Sequence, residues 1–210
     1  AAGNAPEHSS IANYLPAPLI NRCYVIKVEP PTVEEWIEYM NENYEEWDRR
    51  VGAYLMYFKG ELIMKPESEE TLNAFATPRQ WTALATDIVE VEDKERIYTM
   101  AEATVGAKVA SKLATFVTTR IPSIEEIIAR PSIIAELDSE KKFLAAYMIA
   151  QNMDKKGIAK VLEWLAENLK EIAVVTAILA DRKKLREVAR KVDKFGDVLV
   201  ETLKITAEIQ

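Results

Sequence analysis

Cysteine and histidine are nearly missing from this chain: there is one of each, Cys23 and His8. A single cysteine rules out an intrachain disulfide and suits a reducing compartment. It sits among apolar residues of strand-like character, which predicts a buried structural thiol. His8 lies in a polar stretch with no second His or Cys nearby, so neither a zinc site nor a Ser-His-Asp triad is expected around it. Glycine is also sparse, at six residues, and none belongs to a G-x-x-x-x-G-K-[ST] phosphate loop. No apolar run approaches the roughly 20 residues needed to span a bilayer, and no signal-peptide pattern appears. These features predict a cytoplasmic protein.

Acids outnumber bases, giving a net charge of −7 over 210 residues. That balance provides no global attraction for nucleic acid or an anionic membrane. Local basic clusters, Lys155-Lys156 and Arg182-Lys183-Lys184, read as solvated helix faces. Hydrophobic residues make up 49% of the chain, enough at this length to bury a substantial core.

What is abundant is helical periodicity. Residues 1–31 contain Pro6, Pro16, Pro18, Pro30 and Pro31, which break any helix, and an apolar run, Cys23 to Val28, with the composition of a strand. Beyond Thr32 nearly everything follows the 3.6-residue period. Val33, Trp36, Ile37 and Met40 make one stripe, opened by a capping box of Thr32 and Glu35. Val51, Tyr54, Leu55 and Phe58 make a second, ending near Gly60. A polar connection over about 65–76 shows no period.

"FATPRQW" then restarts a helix, with Thr77 as N-cap, Pro78 at the first position and Gln80 completing a box. Its apolar face is Trp81, Leu84, Ala85 and Ile88. Further helices are expected over 93–104, from Gly106 (Val109, Leu113, Phe116 and Val117 inward), and from Ser123 with Glu126 to just before Pro131. Others follow Asp138 (Leu144, Tyr147, Met148) and run along Ile158, Val161, Leu162, Leu165 and Leu169. Amphipathic segments over 171–180, 184–192 and 195–209 complete the chain. There is no repeat of solenoid period. Short connections between helices predict antiparallel neighbours, so the fold is expected to be mainly all-α.

The carboxylate pairs Glu34-Glu35, Glu45-Glu46 and Glu69-Glu70 fall on polar faces or loops, where solvation accounts for them. "VVTAILADR" ends an apolar run on Asp181 but has helical company, so Asp181 reads as a helix boundary. Three other positions stand out. In "AAGNAPEHSS", apolar residues of a strand end on Asn4, a neutral amide able to orient a water. In "LPAPLINRC", Arg22 closes an apolar segment, and its guanidinium must either pair with a carboxylate or face an interface. Arg79 occupies the first turn of a helix, the end where the macrodipole favours anions.

In this order, the sensor-like Asn4, Arg22 and the T-P-R helix start resemble the back half of an AAA+ ATPase, closest to the MoxR-like branch. The resemblance covers about residues 1–120, includes "VEPPTVEEWIEYM", and is strongest through Trp81. "IPSIEEIIARPS" is more weakly similar to a C-terminal extension of some members.

The resemblance implies a remnant of the nucleotide-binding core over 1–29, with a short β-strand at 23–28, a helical lid over 30–120 and a helical extension over 121–210. It implies catalytic roles for Asn4 (sensor 1) and Arg22 (arginine finger, acting on the neighbouring subunit), and nucleotide binding by Arg79 (sensor 2). The cofactors would be ATP and Mg in the parent protein, with no metal ligand in this chain. The partners would be further copies in a ring and a client protein to be remodelled. The family's phosphate loop and acidic strand precede the sensor Asn, so this stretch by itself is expected not to hydrolyse ATP. Two other readings fit the same residues: a stand-alone helical interaction module, and a clamp-loader-like subunit with a collar of helices.

Overall fold

The computed structural model describes residues 16–66, 73–198 and 200. Asn4 and His8 lie outside them, as do Glu69 and Glu70. Among the described residues the fold is all-α, without strands. A single turn, α1 (Ala17–Ile20), precedes α2 (Val33–Asn43) and α3 (Arg49–Tyr57), and a 3₁₀ turn over Lys59–Glu61 follows. Next come α4 (Pro78–Asp87), α5 (Lys94–Val105), α6 (Ala107–Val117) and α7 (Ile124–Ala129). After a 3₁₀ segment at Pro131–Glu136 the chain completes α8 (Ser139–Gln151), α9 (Ile158–Asn168), α10 (Lys170–Leu179) and α11 (Arg182–Ala189). Helical backbone resumes over 193–198.

The helix starts are set by local chemistry. Thr32 and Ser123 each form a complete capping box, with Glu35 and Glu126 returning a carboxylate to the cap amide. Asp48, Asp93, Asp138 and Asp181 cap four more helices through their side chains. Thr77 accepts from the Gln80 amide, but no side-chain bond from Gln80 completes a box there.

The apolar stripes turn inward as their spacing requires. Val33, Trp36, Ile37 and Met40 are buried on α2, each stabilising the fold by roughly 1.5–3 kcal/mol.

At the centre lies α3, where every residue from Arg50 to Met56 is buried. It packs against α2, α4, α6, α8 and α10. Gly52 explains how α10 comes so near: a Cβ there would stand 2.9 Å from Leu179 and 3.0 Å from Trp47. The buried apolar cluster includes residues from Val33 to Val198, and residue 120 lies between α6 and α7.

The N-terminal segment differs from expectation. Residues 24–31 have no regular secondary structure, and Tyr24, Val25, Ile26 and Val28 are strongly exposed. A strand needs a partner ladder, and none of the described residues provides one. The same exposure corrects the reading of Cys23, whose thiol is at the surface rather than buried.

Candidate functional site

Arg79 stands on a turn held from three sides. Thr77 is extended and takes the Gln80 amide on its hydroxyl, 3.3 Å away. The Pro78 carbonyl accepts from the Thr82 hydroxyl at 2.9 Å and from the Trp36 indole at 3.2 Å. The same indole lies 3.1 Å from the Thr82 oxygen, so α2 grips the start of α4. Trp81, fully buried, donates its indole N–H to the Glu61 carbonyl at 3.0 Å. The tryptophan of the T-P-R-x-W motif is thus a structural anchor, tying α4 to the turn after α3.

Glu61 in turn accepts from the Tyr54 hydroxyl and from Lys112. Burial, with help from the Glu61 carboxylate, pushes the Tyr54 hydroxyl far above the usual range for a phenol.

Against this fixed frame the Arg79 side chain is exposed, and among the described residues it has no ion-pair partner. A guanidinium beside the amides of a helix start is suited to a phosphate. Arg22 follows α1, where the Arg22 and Cys23 amides bond to the Leu19 and Ile20 carbonyls at 3.1 Å each. It too is exposed and lacks an ion-pair partner among the described residues. Of the two outcomes open to Arg22, pairing with a carboxylate does not occur among the described residues. No hydrogen bond or ion pair joins Arg22 to Arg79 among the described residues. Asn4 lies outside them.

A concavity of about 320 Å³ opens between α3, the α4–α5 connection and α8. Arg50, 7% exposed, folds back on Asp48 through Nε at 2.9 Å and Nη2 at 2.6 Å, and donates to the Val91 carbonyl at 2.8 Å. Burial lowers the basicity of Arg50, but the Asp48 bonds and charge outweigh it and its pKa rises. Arg49 lies beneath, 5.2 Å over the Trp47 ring and bonded to Asn41. Burial lowers its pKa. Nothing in the sequence marked this pair beyond the run Asp48-Arg49-Arg50. The partners of Arg50, Val91 and Glu92, come from 41 and 42 residues on.

Asp181 is the helix boundary expected of it: its carboxylate accepts from the Lys183 and Lys184 amides at 2.9 and 3.0 Å. Lys155 and Lys184 lie against Glu125 and Asp154, as solvated faces do. Among the described residues no cluster of His, Cys, Asp and Glu could hold a metal ion, and no helix is long and apolar enough to cross a membrane.

Comparison of the chain with models of protein families, with curated proteins and with solved structures gives no match.

Proposed function

We propose that this chain is the lid and helical extension of a MoxR-like AAA+ ATPase, which uses ATP hydrolysis to remodel or assemble client proteins in the cytoplasm. The observation that carries the reading is Arg79: an unpaired, exposed guanidinium on the first turn of α4, with its backbone fixed by Trp36, Thr82 and Trp81. A residue that reads a γ-phosphate needs this combination of a rigid base and a free cationic head, because positioning is much of what a protein contributes to phosphoryl transfer.

Arg22 would serve the neighbouring subunit. Its exposure beside an unpartnered apolar segment suits a residue that meets its target across an interface. Asn4 would hold the attacking water. ATP and Mg²⁺ would be held mainly by the nucleotide-binding core of the parent ATPase, with Arg79 contributing the sensor contact.

The test is ATP turnover by the protein that includes the upstream sequence. Arg22→Ala should lower turnover by roughly 10³–10⁵-fold. Arg79→Ala should lower it while leaving the helical content of the lid intact. Undiminished turnover in both variants would return the chain to the class of helical interaction modules.

A further inference from the structure

Although the chain is acidic overall, α11 and the turn after it are not. Between residues 182 and 191 six side chains are basic and one, Glu187, is acidic. The helix is pinned by Val188, which is buried, and Leu185, which packs on the core, so the basic positions face outward. Two of them are satisfied within the chain. Arg182 bonds Glu38 and lies 3.3 Å from Glu42, and Lys184 lies 3.6 Å from Asp154.

Lys183, Arg186 and Arg190 are exposed and form no ion pair among the described residues. At α-helical spacing these three fall within about 60° of arc and along about 10 Å of axis. Aligned like charges on a helix repel one another, and an anionic partner relieves that repulsion.

The complement lies on the same protein. Glu45, Glu46 and Glu90 are exposed, have no ion pair among the described residues, and rim the 320 Å³ concavity beside Arg50. The Arg50 charge beneath them is already taken by Asp48 and Glu92, and Arg49, which lines the same concavity, is one cation against three carboxylates, so the rim stays negative. Most carboxylates near α11 in its own chain are engaged: Glu38 and Glu42 hold Arg182, Asp154 holds Lys184, and Glu163 with Glu167 holds Lys194, which leaves Glu187 on α11 itself as one acid beside three unpaired cations.

We propose that the Lys183, Arg186 and Arg190 face of α11 docks on the Glu45, Glu46 and Glu90 rim of a second copy of this chain. The concavity is roomy enough to take a cationic side-chain head. This deepens the self-association in the proposed function, and it rests on that part of the reading alone.

The experiment is light scattering on the full chain at about 0.05 M and about 0.5 M salt, with circular dichroism to check helicity. The wild type should associate at low salt and dissociate at high salt. K183E/R186E/R190E and E45K/E46K/E90K should each weaken association by about tenfold or more. An equimolar mixture of the two variants should associate again, because each then meets an opposite surface.

A wild type that stays monomeric at low salt would overturn the proposal, as would reversed variants that associate as before, or a mixture that does not recover. Milder K183Q/R186Q/R190Q and E45Q/E46Q/E90Q pairs keep the test decisive if a reversed variant unfolds. A labelled single-stranded oligonucleotide bound more tightly than the second copy, and lost in the K183E/R186E/R190E variant, would reassign the face to nucleic acid. The ATP reading would survive any of these failures, since it is tested through Arg22 and Arg79.

Discussion

The Trp36 indole reaches 42 residues along the chain to donate to the Pro78 carbonyl, 3.2 Å away. Together with the indole's contact to the Thr82 oxygen at 3.1 Å, this bond fixes α2 against the turn that carries Arg79. Trp36→Phe keeps most of the buried ring and removes the donor. It should destabilise the fold by about 1–3 kcal/mol, read as a lower denaturation midpoint with unchanged slope. In the protein with its upstream sequence, turnover should fall as well, because the base of Arg79 is loosened.

The Asp48–Arg50 bridge is buried on both sides. Asp48→Ala leaves a guanidinium without its counter-ion and also removes the cap of α3, so it should cost about 3–5 kcal/mol. Arg50→Met strands the carboxylate and should be similarly severe. The double variant should cost clearly less than the two single losses added together, because no buried charge is left unpaired. A double-mutant cycle by urea unfolding measures this coupling; additive losses would mean that the pair does not act as a unit.

Gly106 has φ +94°, and a Cβ on it would stand 2.4 Å from the Ala74 carbonyl oxygen. Gly106→Ala therefore meets both backbone strain and a clash with backbone that cannot swing aside. It should destabilise the protein by more than about 1 kcal/mol, with a clear drop in thermal midpoint. A neutral outcome would mean that the α5–α6 junction shifts freely.

Acid should release α11 late. The Lys184 amide holds the Asp181 carboxyl below the usual carboxylate range, with the Lys183 amide and the Arg49 charge adding to the effect. A folded-state pKa below the unfolded value gives stability that is fully present above the ordinary Asp range and is lost as pH falls through the lowered value. Amide exchange over 182–189 should accordingly stay protected at neutral pH and weaken only in strong acid. Asp181→Asn should flatten that dependence.

The helices were legible because their signals are local. Thr32 with Glu35, Ser123 with Glu126, and Asp138 each announce a start within three residues, and stripes such as Val161, Leu162 and Leu165 announce a buried face. Cys23 misled because apolar neighbours in sequence do not bury a thiol when no partner element covers them. Gly52 could not be read at all, since its reason is the approach of Leu179, 127 residues later. The same applies to the Arg50 contact with Val91. For the candidate site, the cap at Thr77 and the position of Arg79 were visible in seven residues, whereas the indole clamp from Trp36 was not.

Because α3 is sheathed by helices from both sides of residue 120, the helix that carries Arg79 and the later helices α8 and α10 share one packed neighbour.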